Sequence, residues 1–155
     1  MAEPVTGPAG GEAFRPPAPQ PPRSAEVQLS PTPASVGAAR RFVTDALAGW
    51  GAAEQAEVAA LLTSELVTNA LLHARSGTRL VLTLEDDQGL RVDVHDDSPR
   101  LPRRQRYRDL ASTGRGVVLL DALADRWGAE PARDGKRVWF VLAPPPDPTA
   151  GGTQG

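Results

Sequence analysis

The stretch "TSELVTNALLHA", residues 63–74, has the strongest structural signal in the chain. Its apolar residues recur at helical spacing, which predicts a helix packed against the rest of the domain. Glu65 and Asn69 lie one turn apart on the same side of this helix. A buried carboxylate is costly unless it has a partner or reaches water. The stretch therefore predicts either a structural hydrogen-bond network or a polar pocket, and both alternatives are open at this point.

A helical wheel places both polar groups inside an apolar stripe. The helix is predicted over about residues 52–74, and the stripe consists of Val58, Leu61, Leu62, Leu66, Ala70 and Leu72. Glu65 and Asn69 fall within that stripe, so we expect them to interrupt the surface that packs on the sheet.

The segments around this helix predict an α+β fold. Apolar spacing predicts an earlier helix over about 36–50, and a weakly alternating run near 25–31 predicts an edge strand. Two alternating runs, TRLVLTLEDD and GLRVDVHDD, are separated by a short turn and predict a hairpin. VVLLDALADRW predicts a third helix and GKRVWFVLA a last strand. We expect a two-layer α/β sandwich in which three helices cover one face of a mixed, mostly antiparallel sheet.

Composition limits the other possibilities. Nine of the sixteen prolines precede residue 34 and four lie between residues 144 and 148, which predicts a tail over 1–24, a domain over 25–142 and a second tail over 143–155. The absence of cysteine excludes thiolate catalysis and disulfides. No basic leader or long apolar run is present, so we expect a cytoplasmic protein without a membrane partner. The net charge of −2 gives no overall attraction for nucleic acid.

A second carboxylate is predicted to point inward. Leu90, Val92 and Val94 share one strand face by the two-residue period, and Asp96 is the next residue on that face. Such an aspartate can accept a hydrogen bond from the amino group of a ligand, or from the backbone of the following turn. The pattern leaves both readings open.

A third signal precedes the last helix. Gly114 and Gly116 flank Arg115 where a helix begins, and the free amides of a helix start favour a phosphate. A single Gly-x-Gly is also typical of a flexible helix entry. The long loop before it carries arginines at 100, 103, 104, 106 and 108, which could bind polyphosphate, bind nucleic acid or keep the loop solvated. With one aromatic residue in the run and an acidic chain, nucleic acid is the weakest of these readings.

Together these motifs resemble those of the GHKL or Bergerat-fold ATP-binding proteins, which include histidine kinases. More narrowly, the chain is similar to the small stand-alone anti-sigma factor serine/threonine kinases of bacteria. "ELVTNALLHA" resembles their N box, "VDVHDDSPRLP" their first glycine box and "STGRGVVLLDALADRWG" their second, in the same order. The chain is too short for a phospho-accepting histidine domain, so transfer to a separate protein hydroxyl is expected.

The resemblance implies a role for each matched residue. Asn69 would bind the Mg²⁺ that bridges the ATP phosphates, Glu65 would be the general base, and Asp96 would accept from the adenine amino group. The nucleotide would also contact Ser98, Gly114, Arg115 and Gly116. Residues 98–113 would form a lid over it, and His73 has no assigned role.

The resemblance also implies partners: a sigma factor, a STAS-type anti-sigma antagonist that is phosphorylated, and a second copy of the chain bound through the first strand and helix. Ser98 and Arg100 stand where the family often has glycine. This departure keeps an alternative open, in which the protein is a non-catalytic, ATP-gated binding module.

Overall fold

The computed structural model describes residues 23–73, 77–97, 115–133 and 135–145. The helices are α1 (Ala34–Gly49), α2 (Ala56–His73) and α3 (Arg115–Leu123), with a short 3₁₀ turn, Ala53–Gln55, before α2. The strands are β1 (Arg23–Leu29), β2 (Thr78–Leu84), β3 (Leu90–Asp96), β4 (Arg126–Ala132) and β5 (Gly135–Leu142). Among the helices so described, none is long and apolar enough to cross a membrane.

Within the described ranges the strands form one sheet in the order β1-β2-β3-β5-β4, and every pairing is antiparallel. Alternate residues of β2 and β5 are buried, as a sheet covered on one face requires. The helices pack on that covered face, with Phe140 at its centre fully buried. The predicted α+β two-layer fold is confirmed, although no parallel pair is found among these strands.

The third helix is shorter than predicted, and a strand was missed. Residues 117–127 were expected to be helical, but α3 ends at Leu123 and Trp127 lies on β4. The chain turns after α3, and this turn is held by a hydrogen bond from the amide of Asp125 to the carbonyl of Val141 on β5, 2.8 Å away. Trp127 then donates from Nε1 to Asp121 on α3, at 2.8 Å, which ties the new strand to the helix.

The buried side of α2 is rotated from the predicted stripe. Leu72 is 59% exposed, so its place in the stripe was wrong, while Ala59, Thr63 and Val67 are fully buried. The reason is that α2 packs against α1 as well as against the sheet, so that its buried arc includes a second side. Asn69 lies within this arc, and Glu65 is half-buried at its rim.

The uncovered face of the sheet pairs its own charges. Arg91 binds Asp93 with an Nη2–Oδ1 distance of 3.0 Å and lies 4.6 Å from the ring centroid of Trp139. Arg137 on β5 approaches Asp93 at 3.7 Å and also pairs with Glu130 on β4. Because opposite charges alternate across neighbouring strands, this face is suited to contact with water.

Candidate functional site

Three polar residues form a row across the covered face at one end of the sheet. In the strand register Thr78 of β2 lies opposite Asp96, and Asp96 lies opposite Lys136 of β5. All three residues are buried, at 1%, 8% and 5% exposure. We call them the polar row. Since the two-residue period points them to the same side as Val94 and Val138, the apolar covered face ends in polar groups here.

Asp96 and Lys136 form a buried ion pair. The Lys136 Nζ lies 3.6 Å from Oδ2 of Asp96, and the two side chains are 7% and 2% exposed. Removing either partner of such a pair leaves an uncompensated buried charge, which typically costs about 3–5 kcal/mol. The inward orientation predicted for Asp96 is therefore observed, together with a cation that the sequence reading did not include.

Thr78 adds an unsatisfied hydroxyl to the row. Its Oγ1 is buried, and no hydrogen-bond partner is found for it among the described residues. Buried polar atoms are nearly always hydrogen-bonded, so an orphaned one calls for a water molecule or a ligand group. A hydroxyl can both donate and accept, which suits either occupant.

The C-terminal half of α2 runs toward this end of the sheet. Its N-terminal end is fixed at the opposite end, where Gln55 Nε2 donates to the carbonyls of Ala143, at 3.1 Å, and Gln88, at 3.4 Å. Glu65 and Asn69 follow about three and four turns later. The helix therefore directs the half-buried carboxylate and the buried amide toward the end that carries the polar row.

The helix start predicted after the glycines is also observed, although part of the predicted phosphate site lies outside the described residues. Arg115 is the first residue of α3 and Gly116 the second. Ser98, Gly114 and the predicted lid over 98–113 are not among the residues described. The first amides of α3 have no partner within the helix, as at any helix start.

A separate cavity of about 390 Å³ opens at the same end of the sheet. Its described lining residues are Gln28, Gly77, Arg79, His95, Asp96, Asp97, Ala132, Arg133 and Gly135. Arg79 and His95 belong to the uncovered face, and neither Glu65 nor Asn69 is among the residues that line it. This cavity thus meets the polar row through Asp96, whereas Asn69 lies on the other side of the sheet, at the covered face.

The electrostatics of that cavity disfavour a charged histidine. Burial lowers the pKa of His95, and the guanidinium of Arg79 lowers it further, against a smaller opposing effect of Asp93. His95 is therefore biased toward its neutral form and is not a preformed cationic anchor.

The residues of the covered face fit the groups that the motifs imply. An inward carboxylate beside an orphaned hydroxyl offers an acceptor and a flexible donor to a base carrying an exocyclic amino group. Among the described residues, no group of three or more histidines, aspartates or glutamates is placed to hold a metal ion. Mg²⁺ at Asn69 would then take its other ligands from phosphates and water, as Mg²⁺ commonly does.

Lys136 is the residue that the sequence reading missed. The signal was present, because Lys136, Val138, Phe140 and Leu142 share one face by the two-residue period. A lysine in phase with three apolar residues is predicted to point inward, where it needs an anion. The apolar content of "GKRVWFVLA" predicts a strand but assigns no role to Lys136.

Comparison with protein families identifies a domain family that the chain matches. The model of the histidine kinase-like ATPase domain matches residues 29–142. The match runs from the last residue of β1 to the last residue of β5, and so includes Glu65, Asn69 and the polar row. A comparison with curated proteins finds no match.

Proposed function

The chain belongs to the histidine kinase-like ATPase domain family, and we propose that it is an ATP-binding anti-sigma regulatory factor with Mg²⁺-dependent serine/threonine kinase activity. The observation that carries the proposal is the buried Asp96 on the covered face, at the end toward which α2 directs Asn69 and Glu65. A buried carboxylate is expensive to maintain, and selection of an adenine amino group is a reason to maintain it.

Each proposed role follows from the chemistry of the side chain. Asp96 accepts a hydrogen bond from the amino group at position 6 of adenine. A base with an oxygen at that position has no such donor. The amide oxygen of Asn69 is a hard ligand for the Mg²⁺ that neutralises the phosphates. Gly116 and Arg115 at the start of α3, with Gly114 and Ser98 before it, contribute to phosphate binding.

Glu65 is the proposed general base. It is half-buried at the rim of the buried arc, so an incoming protein hydroxyl can reach it. The hydroxyl oxygen attacks the γ-phosphorus as its proton passes to the Glu65 carboxylate. The bond between the γ-phosphorus and the bridging oxygen breaks, ADP leaves, and a phosphoserine or phosphothreonine remains.

The proposed substrate is a STAS-type antagonist of the anti-sigma factor. Its phosphorylation adds charge and acceptor oxygens within the complex, which weakens an interface that was formed with an uncharged hydroxyl. The protein then binds its sigma factor instead. We propose a homodimer through β1 and α1, since β1 is an edge strand among the strands that the structure describes, and such an edge can pair with another strand.

A second candidate is a non-catalytic module in which ATP orders residues 98–113 and the ordered segment binds a partner. Ser98 and Arg100, at positions where glycine is frequent in the family, favour this alternative. It predicts tight binding of ATP without phosphate transfer or hydrolysis.

Phosphotransfer with labelled ATP and candidate antagonist proteins tests the proposal. We expect transfer by the wild type and a loss of about 100-fold or more in Glu65→Ala with ATP binding retained, since general bases contribute about 10²–10⁴-fold. Glu57→Ala is the matched control, because Glu57 is an exposed glutamate in the first turn of the same helix.

Four outcomes decide between the candidates. Transfer that depends on Glu65 but not on Glu57 supports the kinase. Calorimetric binding of ATP and Mg²⁺ without any turnover supports the non-catalytic module. Undiminished transfer by Glu65→Ala refutes the role of Glu65, and failure of the wild type to bind ATP refutes both candidates.

A further inference from the structure

We propose that Lys136 is a positioning residue for base recognition: it keeps Asp96 charged and in place to accept from the amino group at position 6 of a purine. This inference rests on the proposed ATP binding. It makes base selection a property of the Asp96–Lys136 pair rather than of the carboxylate alone.

The geometry shows why the pair is needed. The Nζ–Oδ2 separation of 3.6 Å exceeds the usual length of a hydrogen bond, so the two groups interact chiefly as charges. Both side chains are more than nine-tenths buried. In such surroundings a carboxyl without a cation favours its neutral form. Lys136 lies directly opposite in the strand register and supplies that cation.

The protonation state of Asp96 decides how it can bind a base. An ionised carboxylate is an acceptor, whereas a carboxylic acid carries an O–H donor on one oxygen. A purine amino group is itself a donor, so it binds well to the charged form and poorly to the neutral form. Hydrogen bonds to an ionised acceptor are about twice as strong as neutral ones.

The other polar groups that the structure describes at this end do not supply such a charge. Thr78 on β2 and Asn69 on α2 are uncharged, and Glu65 on α2, like the adjoining Asp97, would add negative charge. Arg79, His95 and Arg137 lie on the opposite face of the sheet by the two-residue period. Among the described side chains of the covered face, Lys136 is thus the cation available to Asp96.

The test compares the affinity of ATP with that of purine riboside triphosphate, which lacks the amino group. Ionisation of the triphosphate affects both nucleotides alike and cancels in the ratio of their dissociation constants. We expect the wild-type ratio to be constant between about pH 6.5 and 9. In Lys136→Met the preference for ATP should fall roughly tenfold near neutral pH, and recover as rising pH ionises Asp96.

Two further variants isolate the charge. Lys136→Arg retains the cation and should keep the flat wild-type profile. Arg137→Met removes a positive charge at the next position on the opposite face, and should also leave the profile flat. A flat profile in Lys136→Met, or an equal loss for both nucleotides at every pH, would overturn the proposal, because a structural role alone predicts that result.

If Lys136→Met does not fold, Lys136→Gln decides, since it removes the positive charge and keeps a polar side chain beside Asp96. A preference for ATP that is lost near neutral pH and recovers as the pH rises supports the proposal. A preference that stays constant with pH overturns it. Failure of the wild type to bind either nucleotide refutes the proposed function instead.

Discussion

Replacing Gly135 by alanine is expected to displace Asp96 and weaken both folding and ATP binding. Gly135 begins β5 and lies against the end of β3. A Cβ placed there would overlap the carbonyl oxygen of Asp96 and lie 2.9 Å from its carbonyl carbon and 2.8 Å from Cα of Asp97. These are backbone atoms in or next to a paired strand, so they cannot rotate away as a side chain would.

The size of the effect follows from those distances. Favourable carbon–carbon contacts lie at about 3.5–4.0 Å, so the strand ends must separate by roughly 1 Å. Overpacking of this kind costs about 1–3 kcal/mol, and we expect a loss near the upper end because the obstructing atoms are rigid. The same shift moves the Asp96 carboxylate, and we expect ATP affinity to fall by about tenfold or more.

Urea denaturation followed by circular dichroism measures the stability change, and calorimetry measures ATP binding. Gly49→Ala is the matched control, since a Cβ at this last residue of α1 has no atom within 4 Å. Alanine is favoured over glycine in helices, so this control should be as stable as the wild type or slightly more stable. A Gly135→Ala variant with wild-type stability and ATP affinity would refute the reasoning.

Two other predictions concern the core and pH. Phe140→Ala should lower the free energy of unfolding by about 3–5 kcal/mol, because the ring is fully buried at the centre of the covered face; a loss below about 1 kcal/mol in urea denaturation would contradict that placement. The pKa of His95 is lowered from its ordinary 6.5 by burial and by Arg79, so the unfolded chain takes up the proton first. Its contribution to stability is therefore complete above about pH 6.5 and is lost as the pH falls toward the folded pKa. His95→Gln should flatten the dependence of stability on pH in this window, and an unchanged slope would show that another group titrates.

The hairpin could be predicted because its signals are local. β2 alternates buried and half-buried residues, β3 does so except at the buried Asp93, and the turn between them contains aspartate and glycine. Asp87 Oδ1 accepts from the amide of Gly89 at 2.8 Å, which is the local hydrogen bond by which aspartate favours turns. Each of these features lies within a few residues of the turn, where sequence patterns are informative.

β4 could not be predicted because its reasons are not local. Gly128 and Pro131 are residue types that are depleted in strands, so the local sequence disfavours an extended segment there. In the structure, the position of each residue in the folded sheet explains its presence. A Cβ at Gly128 would lie only 2.9 Å from the nearest atom of the Trp139 ring on β5, so glycine leaves room for that ring. Pro131 is tolerated because β4 is an edge strand of the described sheet.

The features of the candidate site likewise divide into those that the local sequence predicts and those that it does not. The inward direction of Asp96 follows from the period of its own strand, so the sequence predicted it. Its pairing with Lys136 depends on strand register between segments about forty residues apart, which no local pattern specifies. The buried side of α2 likewise depended on α1, a partner that a wheel drawn for one helix does not include.

The polar row indicates how this fold can keep a selective hydrogen-bond acceptor buried away from water. In the proposed role Asp96 would discriminate an amino group because its side chain is buried away from water, yet the same burial favours the neutral acid, which would not discriminate. In the proposed site Lys136 resolves this conflict by supplying the compensating charge from the neighbouring strand. Selectivity and burial then depend on one pair, so a substitution that removes the cation should affect recognition of the amino group before it affects binding of the phosphates.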